Sequence, residues 1–331
     1  MVTMRTAPPA LLAIALALLS AGMGQHAAAQ ERKNTLHVGI LSSGSLELRA
    51  PLDAALVEGL RARGYVEGKN LVIERRYGVS RINENASELA GMKLDAILTT
   101  CTPSTRVMKE ATASTPIVMA AVSDPVQQGI IASLSRPGHN VTGTSSQAEE
   151  LLAKRLELLA DVLPKATRVA VLANARNPVH ALSWQRLERA AAARNLQLIK
   201  VEISAPDDLP AAMEKAAQAK AEALLVLPDD PLMINVRAQI VRLAEKHRIP
   251  DMHWAREFVE AGGLVSYGEN LRSSYTAAAG YMDKIKNGAN PAVMPVEQPT
   301  RFELVVNMKT ARALGIAVPQ SLLLRADELI Q

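Results

Sequence analysis

The chain has 331 residues, 48% of them hydrophobic and 21% charged, with a formal net charge of +4. At roughly 100–200 residues per domain, that length suits two globular units rather than one. Acids and bases are interspersed, as in Arg61, Arg63, Glu67 and Lys69, and aromatics make up only 3%, which argues against a basic, base-stacking nucleic-acid surface.

Residues 1–29 read as a secretory signal peptide. Arg5 gives a positive start, an apolar run follows from Ala10 to Leu19, and Ala27, Ala28 and Ala29 supply the small residues a signal peptidase reads, with cleavage before Gln30. The run is well short of the roughly 20 residues needed to span a bilayer. With no cysteine near the cleavage site, a lipid anchor is not expected; the expected location is the periplasm. Cys101 is the sole cysteine of the sequence, so no internal disulfide is available.

Short aliphatic runs then alternate with amphipathic stretches. Strands are predicted over 36–41, 71–74, 95–99 and 117–122, with helices over 53–63, 85–91 and 104–113 between them. A loop rich in Pro, Gly and Asn follows at 135–140, and after a helix over 148–163 the pattern restarts. Strands are predicted over 168–173, 197–201, 223–227, 250–252 and 264–267, with helices including 183–194 and 232–247. Continuous apolar strands mark parallel sheets buried on both faces. The fold class expected is α/β, with two doubly wound parallel-sheet lobes joined by a hinge.

Ligands of such sheets bind outside the carboxyl ends of the strands. Ser42, Ser43 and Ser45 follow the first strand, and Thr100, Cys101 and Thr102 follow the third; both loops are read as ligand contacts, while Ser104 is as well explained by a helix cap. Ser123 and Asp124 follow the fourth strand, where the acid either binds a ligand amine or fixes the turn with Pro125. In the second array Asn174, Asn177 and Asp229 follow strand ends, with Asp229 a second candidate for an ammonium group and a turn or cap the equal alternative. His253 and Trp254 follow the strand ending at Met252, and the indole would form an apolar wall. Cys101 is read as a small cleft-lining side chain rather than a nucleophile.

Several segments resemble the ABC transporter substrate-binding family that includes tryptophan- and tyrosine-binding members. They are Val38-Gly39-Ile40-Leu41, Gly64-Tyr65-Val66-Glu67-Gly68-Lys69-Asn70, Ser133-Leu134-Ser135-Arg136-Pro137-Gly138 with Asn140-Val141-Thr142-Gly143, Gly262-Gly263-Leu264-Val265-Ser266-Tyr267-Gly268, and Asn307-Met308-Lys309-Thr310-Ala311. Their order and spacing over nearly the whole mature chain carry the resemblance. It implies a type I periplasmic binding fold, with lobe 1 formed by 30–145 and 269–298 and lobe 2 by 146–268 and 299–331. Three crossings are then expected, near residues 143–146, 268–271 and 295–302. It also implies a small-molecule ligand such as an amino acid or related carboxylate, an inner-membrane permease as partner, and a monomer.

No G-x-S-x-G elbow, Walker loop or G-x-G-x-x-G fingerprint occurs, and the histidines lack zinc spacing. Neither cofactor nor metal is expected, and the protein is read as a receptor rather than an enzyme. The alternative kept beside it is a secreted α/β enzyme using cleft carboxylates such as Asp124 and Asp229.

Overall fold

The computed structural model describes residues 35–331; the signal-peptide expectation lies outside the described residues. Two sheets organise them. The first has five strands, β1 (Leu36–Ser42), β2 (Leu71–Tyr77), β3 (Ala96–Thr99), β4 (Ile117–Ser123) and β5 (Val141–Ser146), in the order β2-β1-β3-β4-β5 and parallel throughout. Leu36, Val38 and Ile40 of β1 point to one face, where they meet Leu52, Leu56 and Leu60 of helix α1 (Leu46–Arg61). Leu41, Ile97 and Met119 serve the opposite face, against α2 (Ile82–Ala90) and α3 (Thr102–Ala111) through Leu89 and Met108.

The second sheet has seven strands: β6 (Arg168–Asn174), β7 (Gln197–Ile203), β8 (Ala223–Val226), β9 (Asp251–His253), β10 (Val265–Gly268), β11 (Glu303–Asn307) and β12 (Glu328–Ile330). Their order is β12-β11-β10-β9-β8-β6-β7. All neighbouring pairs are parallel except β10 with β11, so a sheet expected to be wholly parallel is mixed at its far end. Helices α4 (Leu152–Val162), α5 (Pro178–Ala192), α6 (Leu209–Gln218), α7 (Pro231–Asn235), α8 (Arg237–Lys246) and α9 (Arg256–Glu260) surround it. One helix predicted over 232–247 is two, because the chain breaks at Val236.

Helix α10 (Leu271–Lys286) follows β10 in sequence but packs on the first sheet, alongside α1. The approach is close: a side-chain carbon on Gly59 would lie 2.9 Å from Cβ of Ala279. The chain next runs beside β5, where Glu297 bridges to Thr144, and returns to the second sheet as β11, followed by α11 (Met308–Leu314) and α12 (Gln320–Leu323). No helix among the described residues is long and apolar enough to cross a membrane.

Strand order reverses twice. In the first sheet the reversal lies between β1 and β3, and in the second between β6 and β8. At each reversal the flanking helices leave toward opposite faces, opening a crevice at the strands' carboxyl ends. Those ends carry Ser42–Ser43 with Thr100–Cys101 on one side, and Asn174 with Asp229–Asp230 on the other.

Candidate functional site

The two crevices face each other across a narrow shared cleft. The first-sheet side supplies Arg49, Thr100, Cys101, Ala120, Ala121 and Tyr275; the second-sheet side supplies Asp229, Asp230, Ile234, Trp254 and Glu269. The walls meet directly at two points. Thr102 Oγ1 donates to Asp229 Oδ2 at 2.9 Å, and Asn235 Nδ2 donates to the Ser43 carbonyl at 3.3 Å.

Each strand end is held by its own polar scaffold. Thr100 Oγ1 donates to Ser42 Oγ at 3.0 Å, tying the ends of β1 and β3. Ser104 Oγ accepts from the amides of Thr100 and Cys101, both at 3.2 Å, so it reaches back from the first turn of α3 to fix the loop, as the cap reading had it. Cys101 Sγ rests 3.5 Å from Ser43 Oγ and 3.3 Å from Ser104 Oγ. On the opposite wall Asn174 and Asn177 each donate to Asp230 Oδ2 at 2.9 Å, while Asp230 Oδ1 caps α7 through the amides of Leu232 and Met233. His180, isolated from the other histidines in the sequence, accepts from the Asn174 amide at Nδ1 and donates from Nε2 to the Pro228 carbonyl, clamping β6 to the end of β8. Burial lowers its pKa and keeps it neutral in that role.

This scaffold brings Asp229 to the cleft with φ of +53°, a left-handed conformation uncommon outside glycine. Opposite it, Ala121 has φ of +58° within a bulge of β4, where the pairing with β5 slips between Met119 and Val122. The bulge turns Ala120 and Ala121 into the cavity.

Of the residues singled out by sequence, Thr100, Cys101, Asp229 and Trp254 line the cleft, and Thr102 reaches Asp229 at its wall. The others are corrected by their surroundings. His253 is fully buried, its ring stacked on Phe258 at 4.4 Å and its Nε2 bonded to Asp251 Oδ2 at 2.7 Å; it braces β9 and faces away from the cleft. Asp124 starts a turn with φ of +42°, its carbonyl accepting from the Gln128 amide, and its charge acts on Asp229 across the cleft rim. Ser45 is exposed and caps α1 through the Leu48 amide. Ser123 pairs with Ser146 at 2.8 Å. Ser42, Ser43, Asn174 and Asn177 position the loops rather than line the cavity.

The sequence reading also missed the residues with the strongest chemistry. Arg49 is 5% exposed and Tyr275 is 1% exposed. Arg49 Nε, the Tyr275 hydroxyl, Trp254 Nε1 and Glu269 Oε2 are all buried atoms without a hydrogen-bond partner, and all belong to residues that line this cleft. Unpaired buried polar atoms are rare in folded proteins, and four around one cavity describe a receptor wall. Burial pushes the carboxyl of Asp229 up to about 8, helped by the neighbouring charges of Glu149, Asp230 and Asp124. Burial likewise raises Glu269 to about 8 against the opposing pull of Arg155, and Glu149 to about 7.

Arg155 is fully buried between those acids. Its Nε donates to the Tyr267 carbonyl and its Nη1 to the Ala148 carbonyl, both at 2.6 Å, and burial lowers its pKa to about 10. Through these two bonds it fixes the segment leading to Glu269. Arg155→Leu is expected to destabilise the protein by about 3–5 kcal/mol, measured by urea denaturation, because two buried carbonyls and a carboxylate lose their cation. A wider depression of about 380 Å³ lies over the crossing segments at Asn270 and 297–301 and shares only Glu269 with the cleft.

The family model of ABC transporter substrate binding proteins matches residues 48–330. The chain belongs to this family. As a substrate-binding protein it captures a solute for an ABC transporter, and the type I periplasmic binding fold supplies its two lobes. It is 27% identical over 263 residues to a tyrosine-binding protein of Clostridioides difficile strain R20291, covering 78% of this chain and 75% of the relative. Among solved structures, the ABC domain from Streptococcus pneumonia in complex with L-Trp superposes with a TM-score of 0.79 at 23% identity, over 88% of this chain and 100% of that one. A ligand-free, open substrate binding protein with adhesive properties from Clostridium difficile gives 0.65 at 26% identity, over 89% and 99%.

Proposed function

We propose that this substrate-binding protein captures an amino acid in the cleft between its lobes, outside the cytoplasm, and hands it to an inner-membrane permease. The observation that carries the reading is the set of four unpaired buried polar atoms, a guanidinium nitrogen and a hydroxyl from one wall, an indole N–H and a carboxylate oxygen from the other. Such a wall is complementary to a small solute with donors and acceptors at both ends. The tyrosine-binding relative and the L-Trp complex support an amino acid as that solute.

The lobes are 30–145 with 269–298 and 146–268 with 299–331, and the chain acts as a monomer released by cleavage before Gln30. The bonds from Thr102 to Asp229 and from Asn235 to Ser43 belong to a closed arrangement. The higher TM-score against the L-Trp complex than against the open, ligand-free structure supports that assignment. Solute capture then shifts an open population to this closed one, which the permease engages. The alternative, a secreted enzyme using cleft carboxylates such as Asp124 and Asp229, would show itself as turnover of the bound solute.

The test is a thermal-shift panel on residues 30–331 with amino acids, sugars, nucleosides and simple carboxylates. At about 100 times Kd the true solute adds about 2.7 kcal/mol of apparent stability. A response confined to sugars or nucleosides would overturn the reading.

A further inference from the structure

We infer that the outer face of α1 pairs with the same face of a second copy of this chain, the two helices antiparallel, in a weak and reversible dimer. The inference is independent of the solute, because no residue of this face lines the cleft.

One side of α1 covers the first sheet and another meets α10. The side left to solvent carries Glu47, Ala50, Ala54, Val57 and Arg61, spaced alternately by three and four residues. That spacing runs as a seam along a helix and is the one through which two helices interlock. An outward seam is ordinarily polar throughout. This one is charged only at its ends, with opposite signs, and its middle is alanine and valine with Pro51 beside them. An acid at the amino end and a base at the carboxyl end also suit the helix dipole, but the dipole gives no reason for the apolar middle. Neither Glu47 nor Arg61 forms a salt bridge among the described residues.

The seam is complementary to itself. Glu47 and Arg61 stand seven residues either side of Ala54, and Pro51 and Val57 stand three residues either side. A second α1 running the opposite way and crossing at Ala54 therefore sets Glu47 against Arg61 at both ends, as a two-fold contact requires. The small side chain at the crossing lets the two backbones approach closely.

The groove beside the seam points the same way. It holds about 380 Å³ between α1 and β2, the outermost strand of the first sheet, with Leu46, Ala50, Ala54 and Val57 along one side and Arg75 on the other. Asp53 lies in its floor, 5% exposed. Its Oδ2 accepts from the Tyr77 hydroxyl, while its Oδ1 has no partner. Arg75 has turned its two terminal nitrogens to Glu67, at 2.6 and 3.0 Å. Side chains lean toward the amino end of their own helix, so Arg61 of an antiparallel second copy leans past Glu47 toward Asp53. The unpaired oxygen thereby gains a donor from outside its own chain. The contact is a single helix pair about 24 Å long. It falls short of the roughly 800 Å² per partner of a standard stable interface. The dilute chain that captures solute accordingly stays monomeric, and pairs form as concentration rises.

The experiment follows residues 30–331 by sedimentation velocity without added solute, from about 1 μM to about 1 mM. The wild type is expected to pass reversibly from monomer to dimer, and less readily at high salt. Glu47→Arg alone and Arg61→Glu alone each set like charges opposite one another, and each should raise the dimer dissociation constant about tenfold or more. Mixed in equal amounts, the two variants should dimerise with each other at least as well as the wild type, because every pair is then opposite in sign again. Ala54→Lys should abolish the dimer. These side chains are exposed, so thermal midpoints should stay at the wild-type value, and a fold defect would not be repaired by mixing. A wild type that remains monomeric at the highest concentration overturns the inference. So does a dimer that the single reversals leave intact, or one that mixing fails to restore.

Discussion

Lowering the pH from about 8 to about 5 is expected to weaken amino-acid capture by roughly tenfold per pH unit for each proton the cleft must give up. The ligand-free cleft holds Asp229 and Glu269 with pKa values of about 8 and Glu149 at about 7, so at neutral pH it retains protons that ordinary carboxyls have lost. An incoming ammonium group favours the ionised carboxylates, so binding and proton release are coupled. The sign for the empty protein is opposite in origin. Acids whose folded pKa lies above the unfolded value near 4 stabilise the fold most below that value, and the contribution is lost progressively as pH rises from about 4 through the folded values of about 7 to about 8. The ligand-free melting temperature should therefore fall over this window, while ligand affinity should climb. Calorimetry in phosphate and in Tris reads the protons directly: the apparent binding enthalpy should differ between the buffers, and Asp229→Asn with Glu269→Gln should remove the difference. Equal enthalpies with a flat pH profile would show that the carboxyls are already ionised without ligand.

A large effect on stability is expected at Gly143. Its φ is +126°, and an added Cβ would sit 2.2 Å from the Met119 carbonyl oxygen and 2.5 Å from the Met119 amide nitrogen. Both atoms are backbone, in the segment where β4 begins its bulge, so neither can move without disturbing Ala120 and Ala121 at the cleft wall. Gly143→Ala is expected to cost about 4 kcal/mol or more, or to prevent folding. Gly64→Ala separates backbone conformation from collision, because φ there is +89° and nothing lies within 4 Å of the new carbon. It should cost only about 1–2 kcal/mol. Equal urea midpoints for the two variants would mean that β5 can draw away from β4 freely.

The strands were legible because buried parallel strands are continuous apolar runs. Thr100, Cys101, Asp229 and Trp254 followed from the rule that ligands meet strand carboxyl ends. Arg49 was hidden by Pro51. The apolar spacing predicts the helix over 53–63, whereas Ser45 caps it at Leu46 and Pro51 sits inside, a position proline rarely takes. Tyr275 and Glu269 were hidden by topology, since nothing local tells a helix late in the chain to cover the first sheet. His253 misled because its position after a strand matched the rule, yet its ring turns inward to Asp251. The bulge at Ala121 left no sequence mark, as alanine carries no preference for positive φ.

The seat of α10 on the first sheet also sets an order of assembly. As the chain emerges from its amino end, the first sheet's strands are made before anything else, but the face carrying Leu36, Val38 and Ile40 stays incompletely covered until Ala278, Ala279 and Met282 are available. The strands β6 to β10 and their helices, by contrast, come from one uninterrupted stretch. The lobe begun first therefore waits for a helix made after most of the second, and a nascent chain halted before residue 271 leaves both cores open, the first without α10 and the second without Leu304, Val306, Ala311 and Leu322.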